Sequence, residues 1–365
     1  MVYDSLEEVC DFFSDSKWID VFRFWVEGVC LTLFSLLAII TNIISIIVFV
    51  RRKIKNSFDG FILVLAVIDA LFCLFTMVDL SFVRVFNMNG IVYTFLFPWF
   101  LYPITNSLLC ASIYMTVLLG LERFIAVCFP YYHRNLTLSK MFKYRVSAQA
   151  SLVILFSLLL NVPKFFETTI TSSSSPDGDL HYSIEFTSFS NNPHYIRYYN
   201  TITQTLITGV IPFLALLFFN IRIYIRLRQT RNRFLGNRQT TSAKEAKDFQ
   251  LAFVLVGIVC VFLLTNSLRL FLNVYEWTYV DTMIRCKEKF RPSSWIILTT
   301  IVSHLLLILN GGNNFLMYCI LNRNMRTDIL KLFRISHSQI LVSGAPDLVE
   351  MNKFVISKRK EVVLG

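Results

Sequence analysis

The chain has 365 residues, of which 55% are apolar and only 16% charged, with a mean hydropathy of +0.57. Soluble domains carry about 25% charged residues, so too little polar surface is present to coat a globule of this size; the composition excludes most cytosolic enzymes, disordered regulators, collagen-like chains and small disulfide scaffolds. The net charge of +11 does not by itself indicate nucleic acid, because its meaning depends on where the basic residues fall.

A helix that crosses a bilayer needs about 20 predominantly apolar residues. Seven stretches qualify: 25–50, 58–79, 91–126, 144–166, 198–227, 249–275 and 295–321. None alternates polar with apolar at period two, which disfavours a β-barrel. The expected fold class is therefore an all-α membrane protein, a seven-transmembrane helix bundle occupying residues 25–321. The links and flanking ends after the first, third and fifth spans, with the tail, hold 24 Lys and Arg against 6 Asp and Glu; the other side holds 9 against 13. Basic residues stay inside, so residues 1–24 are expected to be extracellular and 322–365 cytoplasmic. All five tryptophans (Trp18, Trp25, Trp99, Trp277, Trp295) fall at outer ends, as an interfacial belt requires. The first span is expected to act as its own uncleaved signal.

The connecting segments add further expectations. The sequon Asn135-Leu136-Thr137 falls on the cytoplasmic side, so no N-glycan is expected. Residues 168–179 are rich in Ser and Thr and read as a loop tip. No internal repeat is visible, which weighs against transporters built from inverted halves. Cys10 and Cys286 are the two cysteines clearly outside the bilayer, and they form either a disulfide or two free thiols. No zinc-type spacing occurs.

Polar residues within spans are costly and mark functional candidates. Asp69 sits at the middle of the second span, with Asn42 in the first, Ser112 in the third, and Asn310 and Asn314 in the seventh. A carboxylate among such side chains suits a sodium ion, a water cluster or a purely structural hydrogen-bonded network.

At the inner end of the third span stands Leu121-Glu122-Arg123-Phe124-Ile125-Ala126-Val127. Glu122-Arg123-Phe124 resembles the Asp/Glu-Arg-Tyr motif of rhodopsin-like G-protein-coupled receptors. Asn42, the Leu-Ala-x-x-Asp ending at Asp69, Pro212 and Asn314-Phe-Leu-Met-Tyr318 agree in order and spacing, so the resemblance runs from about Asn42 to Phe333. It implies a short amphipathic eighth helix over 324–333. Within the class the chain looks most similar to invertebrate FMRFamide-type neuropeptide receptors, through Ser112-Ile113-Tyr114-Met115-Thr116-Val117, Asn161-Val162-Pro163-Lys164-Phe165-Phe166-Glu167, Leu306-Leu307-Ile308-Leu309-Asn310 and Leu270-Phe271-Leu272-Asn273-Val274-Tyr275-Glu276.

Several family landmarks are replaced. Pro98 stands where such receptors carry the third-span Cys that bonds to the second extracellular loop, and the stretch 164–197 has no Cys. Thr265, Asn266 and Leu268 replace the sixth-span Cys-Trp-x-Pro, Asn220 replaces the fifth-span Tyr, and Phe315 replaces the seventh-span Pro, where Gly311-Gly312 can supply the bend.

The resemblance implies a receptor for an extracellular peptide that couples to a heterotrimeric G protein and engages arrestin and membrane lipids, with no role for nucleic acid. Glu122, Arg123, Asp248, Asn314 and Tyr318 would carry activation, Arg123 locking the closed state through Glu122 and Asp248. Thr105, Asn106, Gln204, Arg269 and His304 occupy positions that usually face the ligand cavity, and Tyr102 and Asn273 join them. Asp79, Glu167 and Glu276 are carboxylates available to a peptide arginine, with Phe82, Tyr102 and Phe271 as aromatic surface. Arg269 can instead be satisfied internally by a carboxylate, and His304 can be a packed neutral histidine. Thr105 replaces the third-span Asp of amine receptors, which disfavours a biogenic amine. No cofactor is expected beyond the sodium ion that Asp69 can hold. No catalytic constellation appears, so the chain is not read as an enzyme. The alternatives are a chemosensory receptor for a small molecule and, from a different class, an ion-coupled transporter or channel.

Overall fold

The computed structural model describes residues 17–52, 56–86, 90–138, 142–174, 180–236, 243–286, 292–321, 327 and 329. Seven long helices dominate: α1 (Lys17–Arg51), α2 (Ser57–Val83), α3 (Ile91–Cys128), α4 (Tyr144–Phe166), α5 (Tyr195–Arg226), α6 (Ala243–Cys286) and α7 (Ser294–Leu321). Six stretches, on every helix but α6, are long and apolar enough to cross a membrane, among the described residues. α6 is a single helix of 44 residues and exceeds the expected 249–275 at both ends. α1 likewise begins before the expected 25. A short helix, Pro130–Leu138, joins α3 to α4.

Local chemistry supports the helices at particular points. Asn56 caps α2, its side chain accepting from the Asp59 N–H at 2.8 Å. Several hydroxyls inside spans bond to carbonyls one turn back, as Ser107 to Pro103 at 2.8 Å and Thr116 to Ser112 at 2.9 Å. That satisfies them without water and makes Ser and Thr tolerable in an apolar surround. The ends expected to face outward carry π-helical stretches at Phe24–Cys30, Met77–Val85, Phe97–Leu101, Tyr195–Thr203 and Thr205–Val210. In α3 the widened turns contain Pro98, which lacks the N–H that a regular ladder needs.

α3 runs through the middle of the bundle and touches α2, α4, α5 and α6, while α7 closes the ring against α1, α2 and α6. One apolar core, including Phe61, Leu65, Met115, Leu119, Leu216 and Phe262, fills the inner half. A second, with Leu31, Phe72, Cys73, Leu307 and Ile308, joins α1, α2 and α7. Leu152 is 66% exposed and Leu264 72%, so the outer surface is apolar enough to need lipid.

Gly311-Gly312 does not interrupt the helix: α7 is α-helical from Ser294 to Leu321. The two glycines also allow close packing, because a Cβ on Gly312 would lie 3.0 Å from the Ala38 Cβ and one on Gly311 3.2 Å from the Cys73 Sγ. The expected loop tip is also corrected. Residues Thr168–Ser174 form β1, which pairs antiparallel with β2 (Leu180–Phe186), from Thr168↔Phe186 to Ser174↔Leu180. β-Branched Thr169, Ile170 and Thr171 favour the extended backbone that the Ser count obscured. The eighth helix, the tail and the N-terminal segment up to residue 16 lie outside the described residues.

Candidate ligand cavity and cytoplasmic network

A cavity of about 320 Å³ opens among α2, α3, α5, α6 and α7 in the half expected to face outward. Its wall includes Asp79, Tyr102, Thr105, Asn106, Gln204, Arg269, Asn273, Glu276 and His304. Helical rise sets the depth of each: Glu276 stands seven residues, about 10.5 Å, beyond Arg269 on α6. Asp79 accepts from the Tyr93 hydroxyl at 2.8 Å, and the Asn106 amide donates to the Tyr102 carbonyl at 2.8 Å.

Glu167 is the one polar cavity candidate that the wall does not include. It is buried, 5% exposed, and its carboxylate receives three donors: Lys164 Nζ at 2.7 Å, the Tyr102 hydroxyl at 2.5 Å and the Tyr195 hydroxyl at 2.5 Å. The Lys164 ammonium also donates to Asn200 at 2.8 Å. The Glu167 carbonyl accepts the Thr187 N–H at 2.9 Å, just past β2. The carboxylate thereby ties α3, α4 and α5 together, while the main-chain carbonyl of the same residue holds the end of the β-hairpin. The sequence reading offers Glu167 to a ligand; in the structure its oxygens are engaged by side chains of the bundle. Phe82 and Phe271 are also absent from the wall, and Phe271 packs on Trp295 with ring centroids 6.1 Å apart.

Sequence reasoning missed Glu27. It is 5% exposed on α1, its carboxylate lies 2.6 Å from the His304 Nδ1, and Arg23 approaches to 3.7 Å. The signal was present, since an acid lies inside the apolar stretch 25–50, but Glu27 was not weighed among the polar residues within spans. His304 is thus neither an isolated ligand contact nor an apolar-packed histidine; a carboxylate fixes it at the cavity wall. Arg269 has no internal carboxylate bonded to it: among the described residues it makes no hydrogen bond or ion pair.

Deeper, Asp69 is fully buried, and each of its oxygens accepts one hydrogen bond, from Ser112 at 2.6 Å and from Asn314 at 2.8 Å. Asn42 donates to the Gly311 carbonyl at 3.1 Å. These bonds engage the carboxylate in a hydrogen-bonded network and leave further acceptor positions on both oxygens. Asn310 lies on the same helix, one turn before Asn314, and forms none of these bonds.

At the inner end Glu122 is held by Arg145 at 3.0 Å and by His133 at 3.3 Å, and Arg145 also donates to Ser57 at 2.6 Å. Neither Arg145 nor His133 figured in the sequence reading; they join α2, α3, α4 and the Pro130–Leu138 helix. The Arg123 guanidinium stacks over the Phe58 ring, 3.3 Å from its centroid. Asp248 belongs to α6 and Tyr318 to α7, and their side-chain surroundings lie outside the described residues. Cys286 is in a disulfide, six further cysteines are free thiols, and Cys10 lies outside the described residues.

A family model described as 7 transmembrane receptor (rhodopsin family) matches residues 41–310, which is 270 of the 365 residues. The chain belongs to the rhodopsin family of seven-transmembrane receptors. It is 29% identical over 340 residues to the FMRFamide receptor of Drosophila melanogaster, covering 90% of this chain and 56% of that receptor. It is 26% identical over 236 residues to the FMRFamide peptide receptor frpr-18 of Caenorhabditis elegans, covering 64% of this chain and 51% of the other. With the probable G-protein coupled receptor B0563.6 of the same nematode the identity is 24% over 312 residues, covering 81% and 67%. The chain thus spans a little over half the length of the Drosophila relative. For this rhodopsin-family receptor the Glu167 cluster gains a specific meaning, because it joins loop to bundle without the disulfide that Pro98 precludes.

Proposed function

We propose that this chain is a plasma-membrane receptor, N-terminus outside and C-terminus inside, for an extracellular peptide of the Arg-Phe-amide type, signalling through a heterotrimeric G protein. The observation that carries the reading is the polar cavity in the outer half, where the carboxylates of Asp79 and Glu276 face the same space. Glu276 is solvent-exposed and makes no hydrogen bond or ion pair among the described residues, so it is available to a cation entering the cavity. The names of the Drosophila and nematode relatives supply the peptide class. Arrestin and anionic lipid are the partners proposed for the inner face, where the basic links lie. The segments 1–24, 25–321 and 322–365 are proposed as ectodomain, receptor bundle and cytoplasmic tail.

The test is a screen of amidated neuropeptides on cells expressing the chain, read by calcium and cyclic AMP. An Arg-Phe-amide peptide should act at or below micromolar concentration. Glu276→Gln or Asp79→Asn should then lower its affinity roughly ten- to a thousandfold, about 1.5 to 4 kcal/mol, while a citrulline-substituted peptide stays nearly indifferent. Activation by a small metabolite and by no peptide would refute the reading.

A further inference from the structure

Two apolar faces rise to the end of the bundle expected to face outward. On α4, Leu152, Leu155, Leu159, Val162 and Phe166 are exposed at alternating spacings of three and four, so they form one lipid-facing stripe that runs to the last residue of the helix. On α3, Val92, Phe95 and Trp99 are exposed at the same spacings. With Trp99 at the membrane interface, Phe95 stands about 6 Å further out by helical rise, within the headgroup layer.

The β-hairpin meets both faces. Tyr182 packs on Phe95 with ring centroids 5.3 Å apart. Thr187, the residue after β2, donates its hydroxyl to the Phe166 carbonyl at 2.6 Å, which carries Phe186 to the top of the α4 stripe. Strand geometry sorts the hairpin itself. Ile170, Tyr182, Ile184 and Phe186 share one side. Thr169, Thr171, Ser183 and Glu185 share the other, where the Thr171 and Ser183 hydroxyls lie 2.9 Å apart. Phe186 is 67% exposed, an apolar ring that the described residues leave uncovered. The cavity wall includes no hairpin residue, so the cavity does not use this apolar side.

We propose that the apolar side of the hairpin docks on lipid of the outer leaflet, with Tyr182 and Phe186 in the headgroup layer as a continuation of the lipid-facing surfaces of α3 and α4. Aromatic rings are favoured at that depth, and a tyrosine hydroxyl keeps its water there. The opposite side, with Glu185 and its hydroxyls, is turned to solvent, where a charge is cheapest. Both apolar stripes are already covered by the bilayer along their length, which favours lipid over a protein partner at their upper end. Held on the membrane, the hairpin stands beside the cavity and leaves its mouth uncovered.

Photo-crosslinking in a bilayer reads the contact. The full chain, carrying p-benzoylphenylalanine in place of Phe186, Phe166 or Glu185, is reconstituted in phosphatidylcholine nanodiscs, irradiated, and analysed by intact-protein mass and peptide mapping. The probe keeps a phenylalanine ring, so the fold is little disturbed at Phe166 and Phe186. Phe166, on the α4 stripe, is the reference for lipid contact, and Glu185, on the polar side, is the reference for solvent. Phe186 should give a one-lipid adduct at a yield near that of Phe166 and several times that of Glu185. A Phe186 yield no higher than that of Glu185 would overturn the proposal. So would adducts at Phe186 that map to a second copy of the chain or to its own residues 1–16. No lipid adduct at Phe166 would remove the continuity on which docking rests and overturn it as well.

Discussion

Replacing Glu167 by leucine tests whether a buried polar cluster does the work of the missing loop disulfide. In the parent, one carboxylate serves the Lys164 ammonium and two tyrosine hydroxyls at 2.5–2.7 Å, and the Lys164 and Glu167 side chains are only 8% and 6% exposed. Glu167→Leu leaves Lys164 with Asn200 and Tyr102 as neutral partners and deprives Tyr195 of its acceptor. Removing one member of a buried ion pair costs about 3 to 5 kcal/mol, because the survivor stays desolvated. At about 2 to 4 °C per kcal/mol, the melting temperature should fall by roughly 10 °C. A thiol-reactive dye on detergent-solubilised receptor reads the transition, since Cys73 and Cys110 are buried free thiols. Adding Lys164→Met removes the stranded charge and should restore most of the loss. If Glu167→Leu melts within a degree or two of the parent, or if the double variant is worse than the single, the cluster is not what holds the loop.

Three further outcomes are expected. Arg123→Ala should abolish G-protein activation with surface expression retained, and wild-type calcium signalling by that variant would remove Arg123 from the coupling role. Glu27→Gln and His304→Gln should each lower peptide potency, and the double variant should be little worse than either, because Glu27 acts through the His304 ring that it contacts at 2.6 Å; additive losses would separate them. If the Cys286 bridge runs to Cys10, then Cys10→Ser, Cys286→Ser and the double variant should weaken peptide potency to the same extent, and finding Cys10 alkylatable in the unreduced protein would exclude that pairing.

The spans were legible because hydrocarbon thickness imposes a minimum apolar run, and 144–166 and 295–321 match α4 and α7 to within a residue. Helix ends were less legible where a helix continues past the lipid: hydropathy records the solvent, and α6 goes on to Cys286 through residues no longer apolar. Helix positions combined with the resemblance placed the cavity residues by depth, since rise per residue is fixed. Partners were not legible. Lys164 is three residues from Glu167, but Tyr102 lies 65 residues before it and Tyr195 28 after, and only packing brings them to one carboxylate. The β-hairpin escaped notice because main-chain pairing leaves little trace in a Ser- and Thr-rich composition.

Burial alone would rank Asp69, Glu122, Glu167 and Glu27 as the leading functional acids, since each is 5% exposed or less. Their hydrogen bonds argue for a different division. Each meets donors from the surrounding helices: Ser112 and Asn314, Arg145 and His133, Lys164 with two tyrosines, and His304. A charge so satisfied stabilises one arrangement of helices and has less to offer a newcomer. Arg269 and Glu276 differ because they line the cavity with neither hydrogen bond nor ion pair among the described residues, Arg269 half-buried and Glu276 exposed to solvent. A bundle of this kind gains little from keeping two such charges apart unless something else serves them, whether cavity water or a ligand that displaces it. Hydrogen-bond satisfaction, more than depth, therefore separates the acids that tie helices together from the two charges left available at the cavity wall.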